Sequence, residues 1–301
     1  MKKIVWTLLI AAGIAAAPIT AFSDKEQGGY QRIVSLLPSI TEILFTLGQG
    51  DKVVGVTRYC KHPPEAQQKT IVGGILDTGF ETVYHLNPDL ILMEATARDQ
   101  KEKLDKMGFK TLMLDTRSVD GILESIRVLG DILHCQEKAS AIIANIRERI
   151  EYVQSKTAGL PKTRVLVTYL RPVGEGTIRE VYIAGNNTYF NDLIEITGGT
   201  NVYEGPALIT SPIVSAEGIL RMDPDVIIEV INMLDDVNVT EQQVLDDWKM
   251  LPELKAYKNN RIHVFNQPYI GIPGPRIAFA VEDFARVVHP QINWEKSEPS
   301  R

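Results

Sequence analysis

The chain has 301 residues, 32 of them basic and 38 acidic, for a net charge of −6. No basic stripe accompanies that acidic balance, which excludes nucleic acid as a natural partner. The two cysteines, Cys60 and Cys135, are far apart and have no C-x-x-C neighbour, so neither a disulfide framework nor a thiolate zinc site is expected.

The elements in chain order begin with Met1-Lys2-Lys3 and an apolar run from Ile4 to Ala17. At about 14 residues that run is too short to span a bilayer. A positive start, a short apolar core and the small-x-small site Ala21-Phe22-Ser23 read as an export signal over residues 1–23, cleaved near Ser23. No cysteine lies near the cleavage point, so no lipid anchor is expected. Without Lys2 and Lys3 the mature part carries 30 basic against 38 acidic residues. At about 278 residues it is long enough for one large domain or two lobes.

Strand and helix patterns then alternate. Arg32 to Leu36 reads as a buried strand. Ser39 to Leu47 reads as a helix, with Ser39 and Glu42 in capping-box spacing and Gly48 as its stop. Lys52 to Val56 is a strand, Phe80 to Leu86 a short helix halted before Pro88, and Leu90 to Met93 a strand. Asp99 to Met107 is helical, Thr111 to Leu114 a strand, and Val119 to Leu133 helical. Such alternation predicts an α/β protein with mainly parallel sheets flanked by helices. From Glu137 to Lys156, Ala139, Ile142, Ile143, Ile146, Ile150 and Val153 recur at helical spacing. That predicts one long amphipathic helix, ended by Gly159 and Pro161.

After this helix the pattern restarts. "ETVYHLNPDLILME" (81–94) aligns without gaps with "EGILRMDPDVIIEV" (217–230), pairing Glu81 with Glu217, Pro88 with Pro224 and Asp89 with Asp225. "LGQGDKVVG" (47–55) resembles "TGGTNVYEG" (197–205), and "RIVSL" (32–36) finds its counterpart in "RVLVTYL" (164–170). The spacing between matches differs, which places an insertion near Gly174 to Ala184. Three matches in one order predict two similar lobes. The expected layout is an N-terminal lobe over 30–135, a connecting helix over 136–158, a C-terminal lobe over 162–290 and a polar tail over 291–301. A single helical connection resists bending because bending strains backbone hydrogen bonds. A limited closing motion follows, measurable as a small change in radius of gyration on ligand addition.

The segments "RIVSLLPSITEILFTLG", "DKVVGVTRYCKHPPEA", "VYHLNPDLIL", "MGFKTLMLD", "ITGGTNVYE", "VSAEGILRMDPDVII" and "GPRI" resemble, in that order, the periplasmic binding proteins of ABC importers for cobalamin, ferric siderophores and haem. The likeness runs from about Arg32 to His289. Through "VTRYCKHPPEA" and "PGPRI" it is nearest to the cobalamin-binding members. It implies a monomeric periplasmic carrier that captures a metal-chelate ligand between its lobes and delivers it to a permease dimer in the inner membrane. The carrier itself would hold no cofactor and no metal.

Ligands of open α/β sheets sit beyond the carboxyl ends of the strands. In the first lobe, the loop after Val56 brings Arg58 and Tyr59 there. The resemblance puts Tyr59 in the ligand groove, where its ring suits a flat macrocycle. Cys60 and His62 are alternative metal ligands in the same loop. In the second lobe the corresponding loop offers Tyr169 and Arg171, the latter suited to a carboxylate or phosphate. Segments 74–79, 209–213 and 268–276 are the other expected walls, with Tyr269 and Arg276 as contacts; a structural salt bridge is the other reading of Arg276. Glu81 and Glu217 both open a short helix. Acidic residues there stabilise the helix start through its dipole. The resemblance assigns them a second role, docking to arginines on the two permease subunits. An exported enzyme is the competing class, but no Gly-x-Ser-x-Gly elbow, His-Glu-x-x-His or phosphate loop is present. The five histidines are scattered, and Asp115 and Asp235-Asp236 read as surface loops. The expectation is a binder, not an enzyme.

Overall fold

A computed structural model describes residues 29–231 and 238–294. The expected export signal, Asp235-Asp236 and the end of the polar tail lie outside the described residues.

The first sheet consists of β1 (Ile33–Ser35), β2 (Val53–Val56), β3 (Thr70–Ile71), β4 (Leu90–Glu94) and β5 (Thr111–Leu114), in the order β3-β2-β1-β4-β5. Every pairing is parallel. Parallel strands covered on both faces need apolar side chains both up and down. In β4, Leu90 and Leu92 join one apolar cluster while Ile91 and Met93 join another on the opposite face. Helices α1 (Pro38–Thr46), α2 (Phe80–Leu86), α3 (Arg98–Lys106) and α4 (Val119–Ile132) cover the sheet.

Helix α5 (Gln136–Thr157) follows, 22 residues long, or about 33 Å at 1.5 Å per residue. Beyond it lie β6 (Thr163–Tyr169), β7 (Glu180–Ile183), β8 (Gly199–Asn201), β9 (Ile213–Ser215), β10 (Val226–Val230) and β11 (Ile262–Phe265). The order is β11-β10-β6-β7-β9, with β8 also on β6. Helices α6 (Tyr189–Ile196), α7 (Ala216–Met222), α8 (Glu241–Asp247), α9 (Lys255–Lys258) and α10 (Ile277–Val288) complete the lobe. The insertion has a definite form. Strand β7 runs antiparallel to both β6 and β9, so this sheet is mixed where the first is wholly parallel.

The internal repeat is reproduced at atomic detail. Helices α2 and α7 each have seven residues and end on a left-handed residue, Asn87 (φ 43°) and Asp223 (φ 40°), before Pro88 and Pro224. Asp89 accepts the amides of Gln31 and Arg32 at 2.8 and 3.0 Å, and Asp225 accepts that of Arg164 at 3.0 Å. Arg32 Nη2 donates to Leu86 O at 2.6 Å, and Arg164 Nη2 to Met222 O at 2.7 Å. The matched Asp and Arg therefore fasten each short helix to the strand that starts its lobe. The first lobe differs by a 3-10 turn, Gly50–Lys52, between Gly48 and β2. In the second lobe β8 follows Gly198 directly.

The expected capping box of α1 does not form. The helix starts one residue earlier, at Pro38, with Leu37 as an N-cap that makes no side-chain bond. Ser39 Oγ instead lies 3.2 Å from Thr116 Oγ1. Glu42 is drawn into the interior, where Arg276 Nε and Nη2 donate to its two oxygens at 2.9 and 2.6 Å. Tertiary pairing has overridden a local capping pattern. Cys60 and Cys135 are both free thiols.

The lobes are not independent cores. One apolar cluster runs from Ile33 and Leu90 through Ile146, Ile150 and Val153 of α5 to Val165, Ile228 and Phe284. The Arg276–Glu42 pair and a 2.8 Å bond from Val119 N to Asp192 Oδ2 tie the lobes at two further points. Among the described residues, no helix is long and apolar enough to cross a membrane.

Helix α10 delivers the chain to His289, which is buried, and burial lowers the pKa of this imidazole, as it does that of His263 on β11. The unfolded chain, with histidine near its ordinary value of about 6.5, then takes up protons first as the pH falls. The stability from the neutral imidazole is complete above about pH 6.5 and is lost on acidification through that value. The melting-temperature advantage of the wild type over His289→Gln should therefore narrow between about pH 7.5 and about pH 5.5. A gap that widens over that interval would contradict the assignment.

Candidate functional site

The carboxyl ends of β1, β4, β5 and β6 face one another across a groove of ≈ 490 Å³ between the lobes. Leu37 and Pro38 follow β1, Glu94 ends β4, Thr116 and Arg117 follow β5, and Tyr169 ends β6. Parallel strands bring these chain-distant residues together because their ends all point the same way. The two walls differ. The second lobe contributes an aromatic surface, with Tyr169 and Tyr189 packed on Phe190 at centroid distances of 5.5 and 5.4 Å. The first lobe contributes Leu37, Pro38 and Ile75. The first turns of α1 and α6 both border the groove, so both positive dipole ends are directed toward it. Among the lining residues only Glu94 and Arg117 are charged, and no His, Cys or Met is present. Among the described residues, no cluster of three or more His, Cys, Asp or Glu is arranged to hold a metal ion.

A larger depression of ≈ 840 Å³ lies elsewhere, bordered by α4, α5 and α6. It carries Asp120, Asp192 and Glu195 together with Arg147 and Lys162, and no aromatic side chain lines it. The inter-lobe groove is smaller but has the apolar, aromatic character of small-molecule sites.

Of the six side chains expected to contact ligand, one lines this groove. Tyr169 Oη donates its one proton to Ile183 O at 3.2 Å and can accept from Ser211 Oγ at 2.9 Å. Burial holds its phenol above the usual range, so it stays protonated at neutral pH. Tyr59 is 44% exposed and is not among the residues that line the groove. Its neighbour Arg58 lies over the Tyr59 ring and forms two bonds to Asp77, at 3.0 and 2.6 Å. That ion pair staples the loop after β2 to the loop 74–79 and holds the Asp77 carboxyl below its ordinary range. Tyr269 is buried and donates to Asp283 Oδ2 at 2.6 Å. Arg276 forms the inter-lobe bridge to Glu42, the structural reading left open by the sequence, and burial raises the Glu42 carboxyl against the pull of that guanidinium.

Arg171 departs most from expectation. Its side chain is 2% exposed and held by Glu229 and Asp247, both fully buried. It donates to both oxygens of Glu229, and at 2.6 Å to Asp247 Oδ2. Trp248 Nε1 adds a bond to Glu229 at 2.7 Å, and Asp247 accepts the amides of Gly174 and Gly176 at 2.8 and 2.6 Å. Arg171 is thus the anchor of the insertion, turned away from the groove. His62, the alternative metal ligand, borders a different hollow with Phe45 and Lys69.

Each of the three expected wall segments contributes: Ile75 from the first, Thr210 and Ser211 from the second, Gly271 to Pro273 from the third. Glu94, Arg117, Tyr189 and Phe190 were not anticipated. A readable sign did exist for the first two, since both closely follow predicted strands.

Glu81 and Glu217 occupy the second position of α2 and α7. Both are exposed, and neither side chain makes a hydrogen bond among the described residues. Glu81 is 91% exposed, with His85 3.9 Å away as its only ion-pair neighbour among the described residues.

Comparison with known proteins gives a consistent result. The family model described as periplasmic binding protein matches residues 33–269. An ABC transporter substrate-binding lipoprotein of Bacillus subtilis is 28% identical, covering 86% of this chain and 80% of that one. A cobalamin-binding protein of Halobacterium salinarum is 30% identical, covering 86% and 69%. A solved periplasmic haem-binding protein of Pseudomonas aeruginosa superposes with a TM-score of 0.75 at 22% identity, over 88% and 94% of the two chains; it shares the fold.

Proposed function

The chain belongs to the periplasmic binding protein family, and from that membership we propose that it is the substrate-binding protein of an ABC importer whose cargo is a corrinoid. The observation that carries the choice of cargo is the groove lining: an aromatic wall facing an apolar one, without His, Cys or Met. Haem held by protein takes an axial His, Cys, Met or tyrosinate ligand. The groove's two tyrosines, Tyr169 and Tyr189, are both shifted toward their neutral forms by burial. A corrinoid brings its metal already enclosed and asks for flat apolar contact and hydrogen bonds at its rim. An anionic ferric siderophore would call for a basic groove. The three arginines expected at the ligand, Arg58, Arg171 and Arg276, are all ion-paired within the protein. The name of the Halobacterium salinarum relative supports the same cargo.

On this reading the protein is a carrier, not an enzyme, and works outside the cytoplasm. It holds its cargo between the lobes and presents Glu81 and Glu217, one per lobe, to the two subunits of a permease dimer. Pseudo-two-fold placement of the two carboxylates suits a two-fold partner.

Titration of the purified protein with cyanocobalamin and, separately, haemin tests the cargo. Cyanocobalamin should bind 1:1 with a Kd of about 1 μM or tighter. Haemin should bind far more weakly and without the spectral change of axial ligation. The reverse order of affinities would overturn the corrinoid reading in favour of haem.

A further inference from the structure

The two charged side chains of the groove are Glu94, which ends β4, and Arg117, three residues beyond the neighbouring strand β5. Their hydrogen bonding is incomplete in complementary ways. Thr96 Oγ1 donates to Glu94 Oε2, while the buried Glu94 Oε1 has no hydrogen-bond partner. Arg117 Nε is 3.6 Å from that oxygen, beyond hydrogen-bond range. An ionised carboxylate offers about four lone-pair sites, so most of the accepting capacity of Glu94 is unused. Arg117 commits Nε and Nη2 to Asp115, and its Nη1 makes no hydrogen bond among the described residues. The side chains are 23% and 54% exposed, so a bound ligand would displace water from both. A turn about the broad terminal torsion of Glu94 brings a free lone pair to the groove surface.

We infer that Glu94 and Arg117 together read a neutral primary carboxamide on the rim of the ligand. The amide NH₂ donates to the Glu94 carboxylate, and the amide carbonyl accepts from Arg117. With Asp115 included, the three side chains carry a net negative charge, so a carboxylate in the same place would meet repulsion in a partly desolvated groove. This rests on the corrinoid reading and deepens it. Corrinoids carry carboxamide arms around the ring, whereas haem carries carboxylates. Glu94 becomes a specificity-determining residue that favours the amide-bearing macrocycle.

The test compares cyanocobalamin with its monocarboxylate isomers, in each of which one side-arm amide is hydrolysed, by equilibrium dialysis against wild type, Glu94→Gln and Arg117→Met. At least one isomer should bind wild type about ten- to a hundredfold more weakly than the parent. Glu94→Gln, whose amide can donate to the ligand carboxylate, should bring that ratio close to one. Arg117→Met, which leaves Glu94 without its nearby cation, should widen it. The two variants move the ratio in opposite directions, so a general loss of folding cannot imitate the pattern. Equal affinity of wild type for parent and all isomers, or ratios unaltered in both variants, overturns the inference alone. Failure of wild type to bind cyanocobalamin overturns the corrinoid reading and this inference with it.

Discussion

Replacing Arg171 with methionine is expected to lower the stability of the protein by about 3–5 kcal/mol, the cost of leaving buried charges without their partner. The guanidinium is 2% exposed and serves Glu229 and Asp247 at once. Its loss leaves two buried carboxylates facing each other. Glu229 would respond by protonation, since burial already raises its carboxyl above the ordinary range. Asp247 would keep its bonds from the amides of Gly174 and Gly176. In a thermal melt the loss should appear as a fall of roughly 10 °C for a protein of this size. The loss should shrink at lower pH as Glu229 protonates. Removing the carboxylate too, in Arg171→Met/Glu229→Met, should restore part of the stability. Ligand affinity of the folded variant should be unchanged, because Arg171 does not reach the groove. A variant with normal stability and abolished ligand binding would return Arg171 to the ligand-contact role first expected of it.

On the docking role proposed for them, reversing Glu81→Lys together with Glu217→Lys is expected to abolish uptake while leaving ligand affinity within about twofold of wild type. Both residues are exposed at the start of equivalent helices. Neither lines the groove. Exposed charges of this kind steer encounter and set register more than they add affinity, so reversal converts attraction to a cationic permease surface into repulsion. A single reversal should leave partial uptake, more so at high salt where screening weakens the repulsion. Reconstituted transport with cyanocobalamin, set beside the dialysis affinity of the same variants, decides the matter. Wild-type uptake by the double variant would reduce both residues to helix-start stabilisers.

The repeat is where sequence and structure agree in most detail. Asp89 and Asp225, matched as letters, make the same backbone contacts in their lobes. Pro88 and Pro224 follow the same left-handed helix ends. These features are local in sequence, or join neighbouring strands of one βα unit, so pattern and spacing reveal them. The strand ends, the 22-residue helix and the position of the insertion were legible for the same reason. The groove was less so. Tyr169, expected in the loop beyond β6, and the segment 74–79, through Ile75, both reach it. Glu94 and Arg117 end or follow strands as well, yet their letters alone look like ordinary surface charges.

The sequence by itself therefore determined the α/β class, the two similar lobes, the helix that joins them and the pseudo-symmetric pair Glu81 and Glu217. Hydrophobic period, turn residues and internal repetition are properties of neighbouring positions, and they need no partner from elsewhere in the chain. Only the tertiary structure decided what each arginine does. Arg58 meets Asp77 nineteen positions away, Arg171 meets Glu229 and Asp247, and Arg276 crosses 234 positions to Glu42. An arginine is equally able to hold a ligand or a carboxylate of its own chain. Which of these it does depends on whether folding brings a carboxylate within reach and excludes water around it, and that is fixed by contacts far apart in sequence.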